Sequence, residues 1–307
     1  MHKSVLLNEV IKYLEPKPGN IILDATIDGG GHAKAILERI LPDGKLIGID
    51  QDSRLLEILN SKFKIQNSKL LKNIILVNDN FRNVDKILNS LKINSLDGAL
   101  YDLGMSSIQL EESGRGFTFS KNEPLLMTYK FPLEPQDLTA EKILNARSEK
   151  EIADILFRYG EERFARRIAR NIVERRKSRP FKTTFDLVEI VAKSTPHKFH
   201  YRIHSATKTF QALRIAVNDE LNALSESLEK TWKFLIPGSR LVIISFHSLE
   251  DRIAKRFFSA KGGSASGGKK QAIILTKKPI TPSDEEISSN PRSRSAKLRA
   301  AIKINNK

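Results

Sequence analysis

The sequence predicts an α/β protein, a mostly parallel sheet interrupted by a helical insertion. Apolar runs of strand length alternate with helix-period stretches through the first hundred residues, as in parallel strands joined by crossover helices. Those runs close on polar clusters, at Asp24, Asp50, Asn78-Asp79 and Asp102. In open α/β sheets, ligands sit beyond the carboxyl ends of the strands. The alternation stops after Ser106, and strand character returns only at Ser239.

Taken in order, Asn20-Ile21-Ile22-Leu23-Asp24 reads as a buried strand, followed by a helix over Ala33 to Ile40 that ends near Pro42-Asp43-Gly44. Lys45 to Asp50 is the second strand, with a helix through Leu55, Leu56, Ile58 and Leu59 after it. Asn73 to Val77 and Leu96 to Leu103 supply the third and fourth. Ser148-Glu149-Lys150-Glu151 fits a capping box, in which the Ser oxygen and the Glu carboxylate satisfy free amides at a helix start. The helix beyond sets Phe164, Ile168 and Ile172 four apart on one face. Arg163, Arg166, Arg167, Arg170, Arg175 and Arg176 fall largely elsewhere on its circumference. Thr183-Thr184-Phe185-Asp186 caps a further helix through Leu187, Ile190 and Val191. A helix from Asp219 to Phe234 leads into a strand over Ser239 to Phe246. Gln271 to Thr276 and Lys297 to Ile304 complete the sheet, and Gly262 to Gly268 is a flexible loop before them. The expected organisation is one discontinuous α/β unit, 1–104 and 209–307, holding a basic helical insertion over 105–208.

A chain of 307 residues with 40% apolar content is long enough for two units and too apolar for global disorder. With no cysteine there are no disulfides, thiolate metal sites or cysteine nucleophiles, so the chain is expected to be intracellular, in the cytoplasm. No apolar run reaches the ~20 residues that span a bilayer. The start, Met1 to Glu9, carries an acid and lacks the small-residue cleavage site of a signal peptide. The net charge of +16 is uneven. Residues 160–208 hold 13 Lys/Arg against 5 Asp/Glu, and residues 252–307 hold 14 against 3, leaving the remainder slightly acidic. Basicity confined to two segments suits a protein of which part meets a polyanion, and nucleic acid is the expected partner.

The strongest local signal is a strand, then Asp24-Ala25-Thr26-Ile27-Asp28-Gly29-Gly30-Gly31-His32, then a helix. Glycines permit a tight turn and close backbone approach, and the helix start offers amide donors. Asp50, closing the next strand, is placed to accept both hydroxyls of a ribose. A nicotinamide-dependent dehydrogenase would share this layout, but the spaced G-x-G-x-x-G is absent. A nucleoside cofactor without a pyrophosphate does not need that fingerprint.

At this point the chain resembles the RsmH (MraW) family, ribosomal RNA small subunit methyltransferase H, over nearly its whole length. The resemblance is carried by His2 to Leu7, Asp24 to His32, Ile49-Asp50-Gln51-Asp52, Asp102 to Leu110 and Arg115-Gly116-Phe117. Further on, Tyr159 to Glu162, Thr209 to Ile215, Ser245 to Arg252 and Asn290 to Arg299 continue it in order. It implies a class I Rossmann-like methyltransferase fold with a terminal antiparallel strand, and S-adenosylmethionine as cofactor. It further implies methylation of the exocyclic N4 of a cytidine in small-subunit (16S) ribosomal RNA, near the decoding centre. The family's cofactor contacts carry over to Gly30, Gly31, His32, Asp50, Phe81, Asp102 and Gln109. Two departures stand out. Position 28 is Asp where the family usually has Gly. Pro124 to Lys130 replaces a stretch that usually carries two Asp and an Arg.

Methyl transfer is an in-line displacement at a sulfonium carbon, so the enzyme mainly aligns the reactants and no metal is required. The cytosine amine is a poor nucleophile, because its lone pair is delocalised into the ring. An acceptor beside it would localise that lone pair and take up the developing charge. Asp102 stands where such an acceptor belongs, although it could equally serve the cofactor alone. His247 is the second catalytic candidate, with Ser245 beside it, for an RNA phosphate or the cytosine pocket, and Asp251 follows on the same segment. His32, at a helix N-terminus, is expected to be neutral and hydrogen-bonding. Arg166, Arg167, Arg170, Arg202 and His204 would meet RNA, with Phe199, Tyr201 and further histidines to stack on bases. Arg292 and Arg294 add contacts or brace the last strand. The expected partner is small-subunit ribosomal RNA or the assembling small subunit. Two other classes compete. A non-catalytic RNA-binding assembly protein would leave Asp24, Asp50 and Asp102 without purpose. A DNA cytosine-N4 methyltransferase would carry an Asp/Ser-Pro-Pro-Tyr tetrad after the fourth strand, which this chain lacks.

Overall fold

The computed structural model describes residues 4–66, 68–196, 204–263 and 269–305. The chain divides into two compact units, Met1–Gly104 with Leu221–Lys307, and Met105–Glu220. Among the described residues no helix is long and apolar enough to cross a membrane.

The first unit opens on helix α1 (Leu7–Leu14), which the strand–helix alternation did not announce, and runs through β1 (Ile21–Asp24), α2 (Gly31–Ile40), β2 (Lys45–Asp50), α3 (Ser53–Gln66), β3 (Ile74–Asn78), α4 (Val84–Ser90) and β4 (Leu96–Asp102). Its second segment adds most of α11 (Glu220–Phe234), then β5 (Leu235–Ser245), α12 (Ser248–Lys261), β6 (Ala272–Ile274), α13 (Asp284–Ser289) and β7 (Lys297–Lys303). The sheet order is β3-β2-β1-β4-β5-β7-β6. β1 to β5 pair in parallel, and β7, the last strand in the chain, runs antiparallel to β5 and β6.

Burial on both faces explains why the strands read as unbroken apolar runs rather than as alternating ones. Successive side chains of a strand point to opposite faces. Ile22, Leu100, Val242 and Ile244 join Val10, Leu14, Ile36 and Leu37 of α1 and α2. Their neighbours Leu23, Ala99, Tyr101, Leu241 and Ile243 join Leu88, Leu228 and Phe258 of α4, α11 and α12. β5 begins at Leu235, earlier than the pattern from Ser239 indicates, because Leu235 pairs with Leu96 before the register shifts to Gly98 with Arg240.

The second unit holds α5 (Ser107–Glu111), α6 (Ala140–Ala146), α7 (Glu149–Gly160), α8 (Ala165–Ser178), α9 (Thr184–Ser194) and α10 (Thr207–Asn218) around one core. The capping box at Ser148 forms, with Ser148 Oγ accepting from Glu151 N and Glu151 Oε2 from Ser148 N at 2.8 Å. The helix it opens is not continuous with the Phe164–Ile168–Ile172 face, however. α7 stops at Gly160, whose successor Glu161 is left-handed (φ 48), and α8 starts at Ala165. Gly160 allows a close pass, since a Cβ there would lie 2.5 Å from the Lys208 carbonyl oxygen of α10. The sequence pattern ends the insertion at residue 208. The structural unit runs to Glu220, because Phe210, Ala212 and Leu213 of α10 lie in this core with Leu156 and Ile168. The unusual 124–130 stretch is also core here, with Leu125 and Met127 buried and Met127 O accepting from Asn218 Nδ2 at 2.8 Å.

Candidate active site

In the first unit the chain builds β1, β2 and β3 in one direction and then places β4 on the other side of β1. The carboxyl ends of β1 and β4 therefore frame the crevice where α/β sheets bind ligands. The loop leaving β1 is tied to both neighbours. Ala25 N donates to Leu100 O, Ile27 N to Ile49 O at 3.0 Å, and Asp102 N to Thr26 Oγ1 at 2.7 Å. Three of the strand-end acids thus converge within one unit.

Their environment suppresses charge. Burial pushes Asp24 up to about 8, against a bond from Thr26 N and with added repulsion from Asp102, Asp28 and Asp50. Burial likewise raises Asp50 to about 7, with Asp52 N donating to its Oδ1 at 2.8 Å. It raises Asp102 to about 7, with a long bond from Gly104 N (3.3 Å) opposing. Three suppressed carboxylates around one crevice suit a ligand that brings positive charge and hydroxyl donors. This is the chemistry of S-adenosylmethionine, whose sulfonium, ammonium and ribose diol fit such a donor set.

The glycine turn has a local cause. Gly30 caps α2 with φ 76, and a Cβ there would strike Leu59 Cδ1 at 2.2 Å. A Cβ at Gly31 would fall 1.9 Å from Ser4 Oγ. The close approach these glycines permit is to the chain's own side chains. Asp28 is left-handed too (φ 44), a conformation that favours glycine. His32 is buried and held well below its ordinary value, at about 4, chiefly by desolvation. The neutral state expected from the helix start is present, but burial is its main cause. Phe81 meets Tyr101 edge to face at 5.8 Å, and its carbonyl accepts from Ser227 Oγ at 2.9 Å. Tyr101 Oη in turn lies 2.7 Å from Thr231 Oγ1, a buried hydroxyl cluster that no motif signals.

Other expected residues have visible structural work. His247 is the N-cap of α12, its Nδ1 accepting from Glu250 N at 3.4 Å and its Nε2 lying 3.0 Å from Glu250 Oε1. The His-to-Glu spacing of three is that of a capping box, a signal hidden because histidine is not a usual cap. Asp251 takes a two-pronged bond from Arg299 (2.6 and 3.1 Å), which ties α12 to β7. Ser245 is buried and donates to Lys297 O. Arg292 and Arg294 lie exposed on the turn Pro291–Ser295, ahead of β7.

In the second unit, Gln109 closes the capping box of α5, with its Oε1 3.1 Å from Ser106 N. The five arginines of α8 divide. Arg175 pairs with Asp186 and covers Phe181, and Arg176 Nη1 donates to Leu144 O and Arg147 O. Arg166, Arg167 and Arg170 are exposed on α8, with Arg167 reaching Lys193 O and Arg170 lying 3.8 Å from Glu149. His204 stacks on Phe119 at 4.3 Å. Arg202, Phe199 and Tyr201 lie outside the described residues.

A seven-stranded, mostly parallel sheet with its last strand antiparallel and buried acids at the carboxyl ends of β1, β2 and β4 defines a Rossmann-like fold of the methyltransferase class. The model of the MraW methylase family matches residues 1–304, and the chain belongs to that family. It is 49% identical over 304 residues to "Ribosomal RNA small subunit methyltransferase H" of Thermotoga neapolitana, covering 98% of this chain and 95% of that one. Its identity to the protein of the same name from Kosmotoga olearia is 45% over 306 residues, covering 99% and 97%. Among solved structures it is similar to an rRNA methylase from Streptococcus thermophilus, with a TM-score of 0.45, 10% identity and 99% of both chains covered. It is also similar to Aeropyrum pernix fibrillarin with natively bound S-adenosyl-L-methionine, with a TM-score of 0.42, 13% identity, and 96% and 72% covered.

Proposed function

We propose that this protein transfers a methyl group from S-adenosylmethionine to the exocyclic N4 of a cytidine in small-subunit ribosomal RNA, near the decoding centre. The observation that carries the donor half is the convergence of Asp24, Asp50 and Asp102 at the β1/β4 switch, in a member of a methylase family. The RNA half is supported by the names of the relatives and by the exposed arginines of α8. The cytidine N4 and its location rest on the family resemblance.

When bound, S-adenosylmethionine supplies an electrophilic methyl carbon that needs no metal to activate it. Asp50 would accept the ribose hydroxyls, Gly30 and Gly31 shape the turn, and Phe81 would contribute a further cofactor contact. Asp102 accepts from the cytosine amine, holding its lone pair out of the ring and on line for attack. Arg166, Arg167 and Arg170 contact phosphates and position the RNA without reading its sequence, and Arg202, His204, Arg292 and Arg294 extend that contact. The target base leaves its stack to reach the site. Mass spectrometry of ribosomal RNA nucleosides from cells with and without the protein tests the proposal. Loss of one N4-methylated cytidine is the expected result, and an unchanged set of modifications refutes it.

A further inference from the structure

His32 has both ring nitrogens turned onto the chain itself. Its Nε2 lies 3.0 Å from the Val5 carbonyl oxygen, and its Nδ1 lies 3.4 Å from Asp102 Oδ2. A carbonyl oxygen can only accept, so in the neutral imidazole Nε2 carries the proton and Nδ1 is a bare acceptor. An ionised carboxylate also only accepts. With Asp102 charged and His32 neutral, two lone pairs face each other, and the 3.4 Å spacing is longer than a hydrogen bond. One proton between them makes the contact attractive. The two side chains are only 7% and 18% exposed, so water does not readily substitute for that proton.

We infer that His32 is the proton partner of Asp102: the carboxylate takes the proton lost by the amine during methylation, and His32 Nδ1 accepts the resulting O–H. The inference rests on the function proposed above. The amine lone pair forms the new N–C bond, the C–S bond breaks with its electron pair going to sulfur, and the sulfonium becomes a thioether. The N–H electrons stay on nitrogen while the proton passes to Asp102, so one positive charge on the donor is replaced by one neutralised carboxylate. His32 is a positioning residue in this scheme, setting the proton affinity of Asp102 without touching the amine. Among the described residues, the charged groups acting on the pair include Glu250 on α12, which raises Asp102, and Glu286 on α13, which favours protonated His32. Both favour a proton in the pair. A shared proton would draw the two side chains closer than 3.4 Å.

Two variants separate this role from simple anchoring of Val5. His32→Gln keeps an N–H that reaches Val5 and loses the acceptor at Nδ1, whereas His32→Asn keeps an acceptor near Nδ1 and loses the bond to Val5. Nitrogen NMR of ligand-free, histidine-labelled protein should show Nε2 protonated and Nδ1 bare. Carbon NMR should show the Asp102 midpoint falling by about one pH unit in the Gln variant and returning most of the way in the Asn variant. Single-turnover transfer of labelled methyl to small-subunit particles, at saturating donor, should slow about tenfold in Gln and recover in Asn. A protonated Nδ1, or an Asp102 titration unmoved by Gln, overturns the proton-partner role. Failure of the unaltered protein to methylate any particle overturns the proposed function, and the step with it, whatever the NMR shows.

Discussion

Replacing Asp24 by Asn should flatten the pH dependence of stability of the ligand-free protein between about pH 5 and 8. Asp24 is 1% exposed and is pushed from 3.8 to about 8, first by burial and then by its acidic neighbours. The folded state therefore binds this proton more tightly than the unfolded chain does. Its contribution is fully present below the unfolded value near 4 and is lost as pH rises through about 8. A tenfold difference in proton affinity corresponds to ~1.4 kcal/mol, so the interval between the two values sets an upper bound of about 6 kcal/mol. Relaxation and water entry reduce this, and about 1–3 kcal/mol is expected between pH 5 and 8. Asn has the shape of the neutral acid and keeps the oxygen that accepts from Thr26 N. At pH 5 the two proteins should match within about 1 kcal/mol, and at pH 8 the variant should be the more stable one. Urea titrations at pH 5, 6.5 and 8 measure this directly. A variant with the same pH slope as the parent, or one that has lost several kcal/mol at pH 5, would show that Asp24 is ionised in the fold.

Asp50→Ala should weaken S-adenosylmethionine binding about 10- to 100-fold in calorimetry by removing hydrogen bonds to a charged acceptor, and unchanged affinity would contradict the ribose placement. Reversing Arg166, Arg167 and Arg170 to Glu should weaken RNA binding and lower the slope of log affinity against log salt by about 2, leaving donor affinity alone. Tyr101→Phe should cost about 1–2 kcal/mol in thermal or urea unfolding, because the buried Thr231 and Ser227 hydroxyls lose a partner. Asp28→Gly should stabilise the protein by about 0.5–1 kcal/mol in the same assay, since φ 44 strains an L residue, and a loss of stability would refute that cause.

Much of the first unit was legible because strand ends and crossover helices leave local marks. The Asp24, Asp50 and Asp102 ends fall where the apolar runs stop, and the successive strands β1, β2 and β3 lie side by side, as short crossovers favour. What sequence could not show is who faces whom across long separations. The bond from Leu6 N to Glu286 Oε1, 2.8 Å long, joins opposite ends of the chain, and the Val5 carbonyl fixes a tautomer 27 residues away. Neither has a local signature. The arginines of α8 were partly readable. Ala165, Ile168, Ala169 and Ile172 form its buried stripe, and 175 and 176 continue the same three-and-four spacing, so those two belong to the packed side. The break after Gly160 was harder to see, because the glycine answers to Lys208 on another helix.

The charge distribution acquires a physical reason once the crevice is described. A cluster of Asp24, Asp50 and Asp102 favours a cationic donor and disfavours a phosphate backbone to the extent that the acids ionise, and an approaching cation promotes that ionisation. An RNA substrate must therefore be attracted by parts of the chain other than the strand ends. The excess of positive charge sits in 160–208 and 252–307, and the rest of the chain is slightly acidic. On α8 the exposed members of the basic set are those able to meet phosphate, while Arg175 and Arg176 are spent on Asp186 and on backbone carbonyls. Screening reaches only about 8–10 Å at physiological salt, so such steering acts locally. Charge reversal on α8 and neutralisation in the crevice should accordingly separate the two halves of the activity, the first changing RNA affinity and its salt dependence, the second changing donor affinity and its pH dependence.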